Sequence, residues 1–305
     1  MENNYNKYKN KYLSLKKKII TNDLVDLVPK KVLENVVEFD FDELNISTVQ
    51  YDEGPCGCTL LYFDQGAQVY IDKRGGSPAF LSVESNDDDF SLQGICIAGG
   101  AILGLEATCG VISETLKYHN YKYFNSIAGS MLRSHNLDFN TIYPDKKLGR
   151  FAFNSLQKNI VSTGQVGGGL SASFGQGAAF FQKDGIKIFA LVVINSIGNI
   201  YKKNQIIKQA KYLNKDNIKK NNNTTISILV INIDIGSYKL EQLGKQCHTS
   251  IAETIRPFHT IFDGDVLYCC STKELRINMS DNDLYDFYNL CAKIIKKAIY
   301  NSIKL

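Results

Sequence analysis

The chain has 305 residues, 44% of them hydrophobic and 11% aromatic, which supplies a sizeable core and excludes disorder of the whole chain. Its net charge of +4 sits in two segments: residues 1–22 hold six Lys against Glu2, and residues 201–223 hold seven Lys against Asp216. The remainder is therefore net acidic, which argues against a basic nucleic-acid-binding domain.

In chain order, Tyr5, Tyr8, Tyr12, Leu15 and Ile19 recur at helical spacing among Lys7, Lys9, Lys11 and Lys16–Lys18. This spacing predicts a basic amphipathic leader helix over 1–22, suited to a peripheral or oligomer contact, with membrane-surface or anionic-polymer contact as the alternative. Its wording resembles the leaders of giant DNA virus proteins, which implies host cytoplasm or virion as a location. One domain is expected over 23–305. Strands are predicted at 58–63, 67–72, 93–98, 187–195, 226–234 and 265–270, and helices at 103–118, 146–158, 239–256 and 281–302. Ile188–Ile194 and Ile226–Ile231 are almost continuously apolar, as strands covered on both faces are, so a layered α/β architecture follows. The longest clean apolar run, Ile188–Ile194, is far too short for a membrane helix, and the N-terminus lacks the apolar stretch of a secretory signal. A soluble, cytoplasmic protein with no integral membrane segment is expected. The eight Cys lie mostly in apolar runs without a regular framework, and are read as reduced, buried thiols.

Residues 201–223 form an Asn/Lys-rich segment between two apolar strands, expected to be partly helical and to finish in a solvated, flexible tail, Lys219–Asn223. It runs directly into Thr224-Thr225 and the apolar ISILVINID. A Thr hydroxyl carrying a free α-amine needs no separate His, because an amine of pKa near 8 can accept the hydroxyl proton. Obtaining that amine in mid-chain requires cleavage of the preceding peptide bond, which the hydroxyl itself can attack. Downstream, Asp263 and Asp265 stand two apart in an Asp-Gly-Asp sequence. They are either turn punctuation or a carboxylate pair that holds an ammonium and titrates as a unit. Three Gly clusters, at 75–76, 99–100 and 167–169, read as tight turns and lack the context of a nucleotide-binding loop.

Seven stretches in order carry a family resemblance: VYIDKRGGSPA (69–79), GICIAGGAILGLEATCGV (94–111), YPDKKLGRFAF (143–153), VGGGLSA (166–172), ALVVINSIGNI (190–200), NTTISILVINID (223–234) and IRPFHTIFDGDVLY (255–268). The chain resembles the self-processing N-terminal-nucleophile amidohydrolases that include the D-aminopeptidases, the β-peptidyl aminopeptidases and the endo-type 6-aminohexanoate (nylon) oligomer hydrolases. Asn-Thr-Thr and Asp-Gly-Asp point towards the nylon-hydrolase-like branch. The resemblance implies a four-layer αββα sandwich and self-cleavage between Asn223 and Thr224 into parts that stay associated. It also implies Thr224 as nucleophile, its amine as base, Asn195 as oxyanion donor, and Asp263 and Asp265 as the amine's anchors and proton relay. A small amide or peptide substrate and a homo-oligomer are implied as well.

One departure stands out. Family members commonly carry a Lys after the Gly-rich motif, whereas SASFGQGAAF (171–180) has none, and Ser173 and Gln176 stand nearest, with Lys183 and Lys187 beyond. Two alternatives stay open on this ground: a catalytically silent binding or structural protein, and an acyl transferase. His259 lies within a matched stretch and is expected to make a structural hydrogen bond, whereas His119, His135 and His248 show no partner spacing. Cys56-x-Cys58 and Cys269-Cys270 have no second ligand pair, so neither a metal nor an organic cofactor is expected.

Overall fold

The computed structural model describes residues 21–54, 56–78, 80–81, 90–122, 126–132, 141–210 and 223–303. The predicted leader helix thus lies outside the described residues except for its last two positions, and so do residues 211–222 of the Asn/Lys segment.

β1 (Leu44–Tyr51) and β2 (Cys56–Gly75) open the sandwich, followed by β3 (Leu92–Ala98), α1 (Leu105–Tyr118), β4 (Ile127–Met131) and α2 (Lys146–Asn154). Then come β5 (Gly175–Lys183), β6 (Ile186–Asn195), the short strands β7 (Asn199–Lys202) and β8 (Gln205–Lys208), β9 (Thr224–Ile233), α3 (Ser237–Ser250), β10 (Gly264–Leu275) and α4 (Asp281–Ser302). Asp145 caps α2 by accepting from the Leu148 amide at 2.9 Å, and Ser280 with Asp283 forms a capping box at the start of α4.

The main sheet runs β5-β6-β9-β10-β2-β3-β4, with β1 also paired to β2. β2 belongs to two layers. Its first half pairs with β1 and β3, and its second half, Gln68–Gly75, pairs antiparallel with β10. The register with β3 shifts between Tyr62 and Ala67, where Asp64 and Gln65 are exposed, and there the strand passes from one layer to the other.

Alternation along the strands builds three cores. Phe189, Leu191 and Val193 of β6 and Ile226, Ile228 and Val230 of β9 face the space between the two sheets, packed against Leu44, Ile46, Leu61 and Ile95. The intervening Ile188, Ala190, Val192, Leu229 and Ile231 meet Leu240, Leu243 and Cys247 of α3 and Phe287, Cys291 and Ile295 of α4. On the far side Val49, Cys58, Leu60 and Cys96 meet Ala107 and Val111 of α1 and Leu148 and Ala152 of α2. The result is helices, sheet, sheet, helices: the expected αββα order, built from strands buried on both faces.

The differences from expectation are local. Segments 58–63 and 67–72 are one strand, because polar Asp64-Gln65-Gly66 reads as a turn in sequence. The helix expected to reach 256 ends at Ser250, and the one expected to reach 158 ends at Asn154. Residues 199–208 are a β-hairpin, turning through Lys203 and Asn204 at φ of 49° and 64°, as a two-residue hairpin turn requires, and residues 211–222 of the segment expected to be partly helical lie outside the described residues. Asn223 is buried and bridged to Asp263, so it is not the end of a solvated tail. All eight Cys are free thiols, and only Cys109 is exposed. Among the described residues no helix is long and apolar enough to cross a membrane.

Phe189 is fully buried between the sheets with its ring 4.8 Å from that of Phe39. Phe189→Ala is expected to destabilise the fold by about 3–5 kcal/mol, read as a lower denaturant midpoint with unchanged slope.

Candidate active site

The sheet order places three chain segments side by side at one end of the sandwich. β6 and β9 are antiparallel, and their ladder ends with Asn195 opposite Thr224. β9 and β10 are parallel, and an isolated bridge between Asn223 and Asp263 extends their ladder upstream of Thr224. By alternation, Thr224 and Asn195 share the inter-sheet face with Ile226 and Val193, whereas Asp265 shares the opposite, α3-covered face with Leu267.

The peptide bond before Thr224 is held on both sides. The Asn223 amide donates to the Phe262 carbonyl at 3.0 Å, and the Asn223 carbonyl accepts from the Gly264 amide at 2.7 Å. The Thr225 amide donates to Asp265 Oδ1 at 2.7 Å, so a carboxylate sits against the backbone one residue past Thr224. Thr225 thus contributes its backbone, while its hydroxyl is buried without a partner among the described residues.

Asp263 and Asp265 are 1% and 0% exposed, far more buried than hairpin punctuation would be. Asp263 Oδ2 accepts from the Thr260 amide at 2.9 Å and the Thr260 hydroxyl at 2.7 Å. Its Oδ1 is buried, and the Ile197 backbone is the carboxyl's other polar neighbour. Burial, then the neighbouring Asp265 charge, lifts the Asp263 carboxyl to about 6, against the opposing pull of Thr260. The loop that carries Asp263 lies against Gly75 and Gly76. A Cβ on Gly75 would sit 2.3 Å from the Asp263 carbonyl oxygen, and one on Gly76 would sit 2.0 Å from that of Ile261. This Gly pair serves close backbone approach to the site loop.

Asn195 is fully buried, and its Oδ1 accepts from the Ser173 amide at 3.0 Å and the Ser173 hydroxyl at 2.9 Å. A backbone N–H can only donate, so the bonded atom must be the oxygen, and the amide NH₂ takes the other direction. Sequence reasoning placed Ser173 nearby without this role. Gln176 is engaged elsewhere, accepting from Thr59 at 2.8 Å and donating to the Ser162 carbonyl at 2.7 Å. Neither candidate lysine reaches the site: Lys187 lies eight residues, about 26 Å, down β6 from Asn195 and pairs with Asp40, while Lys183 pairs with Asp184 in the hairpin beyond.

Two histidines complete the surroundings. His259 donates through both its backbone amide, at 3.2 Å, and Nδ1, at 2.9 Å, to Asp265 Oδ2. His248, which showed no partner spacing in sequence, is fully buried on α3 with Nδ1 3.0 Å from Asp72 Oδ2. A groove of about 1160 Å³ between α3 and α4 is lined by Lys245, Arg256, Lys293 and Lys296 among others, and by none of these site residues.

The sequence profile of peptidase family S58 matches residues 46–304. The 6-aminohexanoate-oligomer endohydrolase of Agromyces sp. is 32% identical over 289 residues, covering 83% of this chain and 80% of the relative. The corresponding protein of Paenarthrobacter ureafaciens is 31% identical with the same coverage. Among solved structures, the PH0078 protein of Pyrococcus horikoshii superposes with a TM-score of 0.69 at 14% identity over 90% of this chain and 88% of that one. The L-aminopeptidase D-Ala-esterase/amidase of Ochrobactrum anthropi, a variant of the Ntn hydrolase fold, does so with 0.62 at 15% over 90% and 82%. With a profile match over most of its length, the chain belongs to peptidase family S58 and is an amide-bond hydrolase of the N-terminal-nucleophile fold.

Proposed function

We propose that the protein cleaves itself between Asn223 and Thr224 and then uses Thr224 to hydrolyse amide bonds of short ω-amino-acid oligomers or N-terminal peptide bonds. The observation that carries this reading is the setting of one peptide bond: its carbonyl already accepts the Gly264 amide at 2.7 Å, the buried Asp265 carboxylate holds the Thr225 amide at 2.7 Å, and the buried Asp263 is bridged to Asn223. In the first step Thr224 Oγ1 attacks the Asn223 carbonyl carbon. The C–N bond breaks, the nitrogen takes the hydroxyl proton, and an ester links Asn223 to Thr224. Water hydrolyses the ester, leaving a carboxylate on Asn223 and a free amine on Thr224. The Gly264 amide faces the oxygen on which negative charge develops, the place where a fixed donor lowers the barrier.

In turnover the substrate carbonyl takes the place vacated by Asn223. Thr224 Oγ1 attacks as its proton passes to the amine, and Asn195 Nδ2, turned by Ser173, donates to the oxyanion. The protonated amine then hands its proton to the leaving amine, and water releases the acyl group from Thr224. Asp263 and Asp265 hold the ammonium form and return the amine to its base form. The preference for ω-amino-acid oligomers rests on relatives above 30% identity, those of Agromyces sp. and Paenarthrobacter ureafaciens among them, whose names specify 6-aminohexanoate oligomers. A hydrolase domain over 23–305, a cytoplasmic or viral setting, and assembly of cleaved pairs into a homo-oligomer belong to the same reading.

Intact mass under denaturing conditions is expected to show fragments of 223 and 82 residues from the wild type and one chain from Thr224→Ala, with oligomer hydrolysis present only in the former. A wild-type chain that stays whole after long incubation sinks the reading. Ser173→Ala removes one of two bonds to Asn195 and is expected to lower kcat about fivefold to tenfold, with KM little changed.

In the uncleaved Thr224→Ala chain, Asp263 has no ammonium to pair with. Its folded-state pKa near 6 lies above the unfolded value near 3.8, so its ionisation destabilises the fold above pH 6 and not below pH 4. Asp263→Asn in that background should therefore raise Tm at pH 8, by up to about 3 kcal/mol of stability, and should lose the gain as pH falls to 4.

A further inference from the structure

Five titratable side chains form a line that starts at the half-buried Arg74 and ends at the fully buried Asp265, whose other oxygen holds the Thr225 amide. Arg74 Nε donates to Asp72 Oδ2 at 2.8 Å, His248 Nδ1 lies 3.0 Å from the same oxygen, and the His248 and His259 ring centroids are 4.4 Å apart at 82°. His259 Nδ1 then meets Asp265 Oδ2 at 2.9 Å. The line runs from β2 through α3 and the loop before β10 into β10 itself, and its two ends meet again because Arg74 is the register partner of Asp265. Asp263 beside Asp265, and Lys245 near Asp72, are the other charged groups facing it.

The chemistry of the two rings is unusual for a purely structural contact. A carboxylate against Nδ1 favours the proton there, which makes Nδ1 the donor. Both Nε2 atoms are buried without a hydrogen-bond partner among the described residues. Burial also holds the His248 ring below its ordinary pKa against the pull of Asp72, which keeps it neutral. Two buried ring nitrogens left without partners among the described residues are a standing cost that an apolar side chain in either place would avoid. His259 bears a second cost in its φ of 57°, the left-handed region that Gly and Asn occupy more easily. What the arrangement gains is the fixing of one carboxylate: Asp265 Oδ2 is held by two His259 donors, which aims Oδ1 at the Thr225 amide beside Thr224.

We propose that His259 is a positioning residue for the reaction at Thr224, its ring donor fixing Asp265 while His248, fixed by Asp72, holds the ring from behind. This rests on the reading of Thr224 as nucleophile. It requires that the donor, and not merely the bulk of the ring, matters. Removing a donor from a carboxylate raises its proton affinity, so the Asp263/Asp265 pair would take up its inactivating proton at higher pH.

The test compares His259→Gly, which removes the donor, with His259→Asn, which keeps a neutral donor near the Nδ1 position; both tolerate the backbone conformation. The readouts are the rate of chain splitting, then kcat and KM on linear 6-aminohexanoate oligomers across pH, and the denaturant midpoint. His259→Gly is expected to slow splitting and kcat by roughly 10- to 100-fold with KM within about twofold, the usual scale for losing an orienting partner. Its acid limb is expected to move to higher pH. His259→Asn is expected to recover most of the rate and to return the limb to its wild-type position. Wild-type rates in His259→Gly overturn the proposal, and so does a His259→Asn protein that is folded but no faster than His259→Gly. A wild-type chain that neither splits nor hydrolyses overturns the reading of Thr224, and the proposal falls with it.

Discussion

The parallel pairing of β9 with β10 is the constraint on which the site depends. Its register is constant from the Asn223–Asp263 bridge through Ile231–Ser271, and that constancy alone puts two carboxylates beside one peptide bond. A parallel pair needs a crossover, and α3 supplies it, lying over the outer face of the sheet. A slip of one residue would send Asp265 to the inter-sheet face and Thr224 away from Asn195. The long apolar runs of both strands prevent this, because each side chain fits only the core it faces. Core packing several residues away thus sets the geometry of the reacting groups.

That packing explains which parts of the molecule were legible in the sequence. β6, β9 and β10 were readable because strands covered on both faces carry uninterrupted Val, Ile and Leu, and α4 because its apolar face repeats over six turns. The order Thr224, Asp263, Asp265 was readable through the resemblance and through the Asp-Gly-Asp spacing. Ser173 was not, because its hold on Asn195 comes from the turn before β5 meeting the end of β6 in space. His248 was hidden for a similar reason: it occupies an ordinary buried position of α3, next to Cys247, and only the fold brings Asp72 beneath it. The hairpin of β7 and β8 was obscured by composition, since four exposed residues in β8 leave no alternation to read.

The site is also where the fold departs from its own rules. Most of the sheet interior buries apolar side chains against one another. At this end Thr225, His248 and His259 each bury a polar atom without a hydrogen-bond partner among the described residues, and burial raises the proton affinity of Asp263. Such concentrations are expected where stability is given up for reactivity. Free donors and acceptors in a water-poor setting are also what a new ammonium and a transient oxyanion require.

The strand order has a consequence for the life history of the chain. β9 and β10 come from the C-terminal side of Thr224, yet they lie between β6 and β2, which come from the N-terminal side. Any chain opened at Thr224 would be two interleaved polypeptides, the shorter one wedged into the middle of the longer one's sheet. Neither could slide out without breaking a full ladder on each flank. Under the proposed self-cleavage, folding would have to come before cutting. Once cut, the protein is a molecule that assembled with one chain and would have to reassemble with two. Its folded state would then depend on never letting go, since the loop-closure advantage that first brought the strands together would be gone.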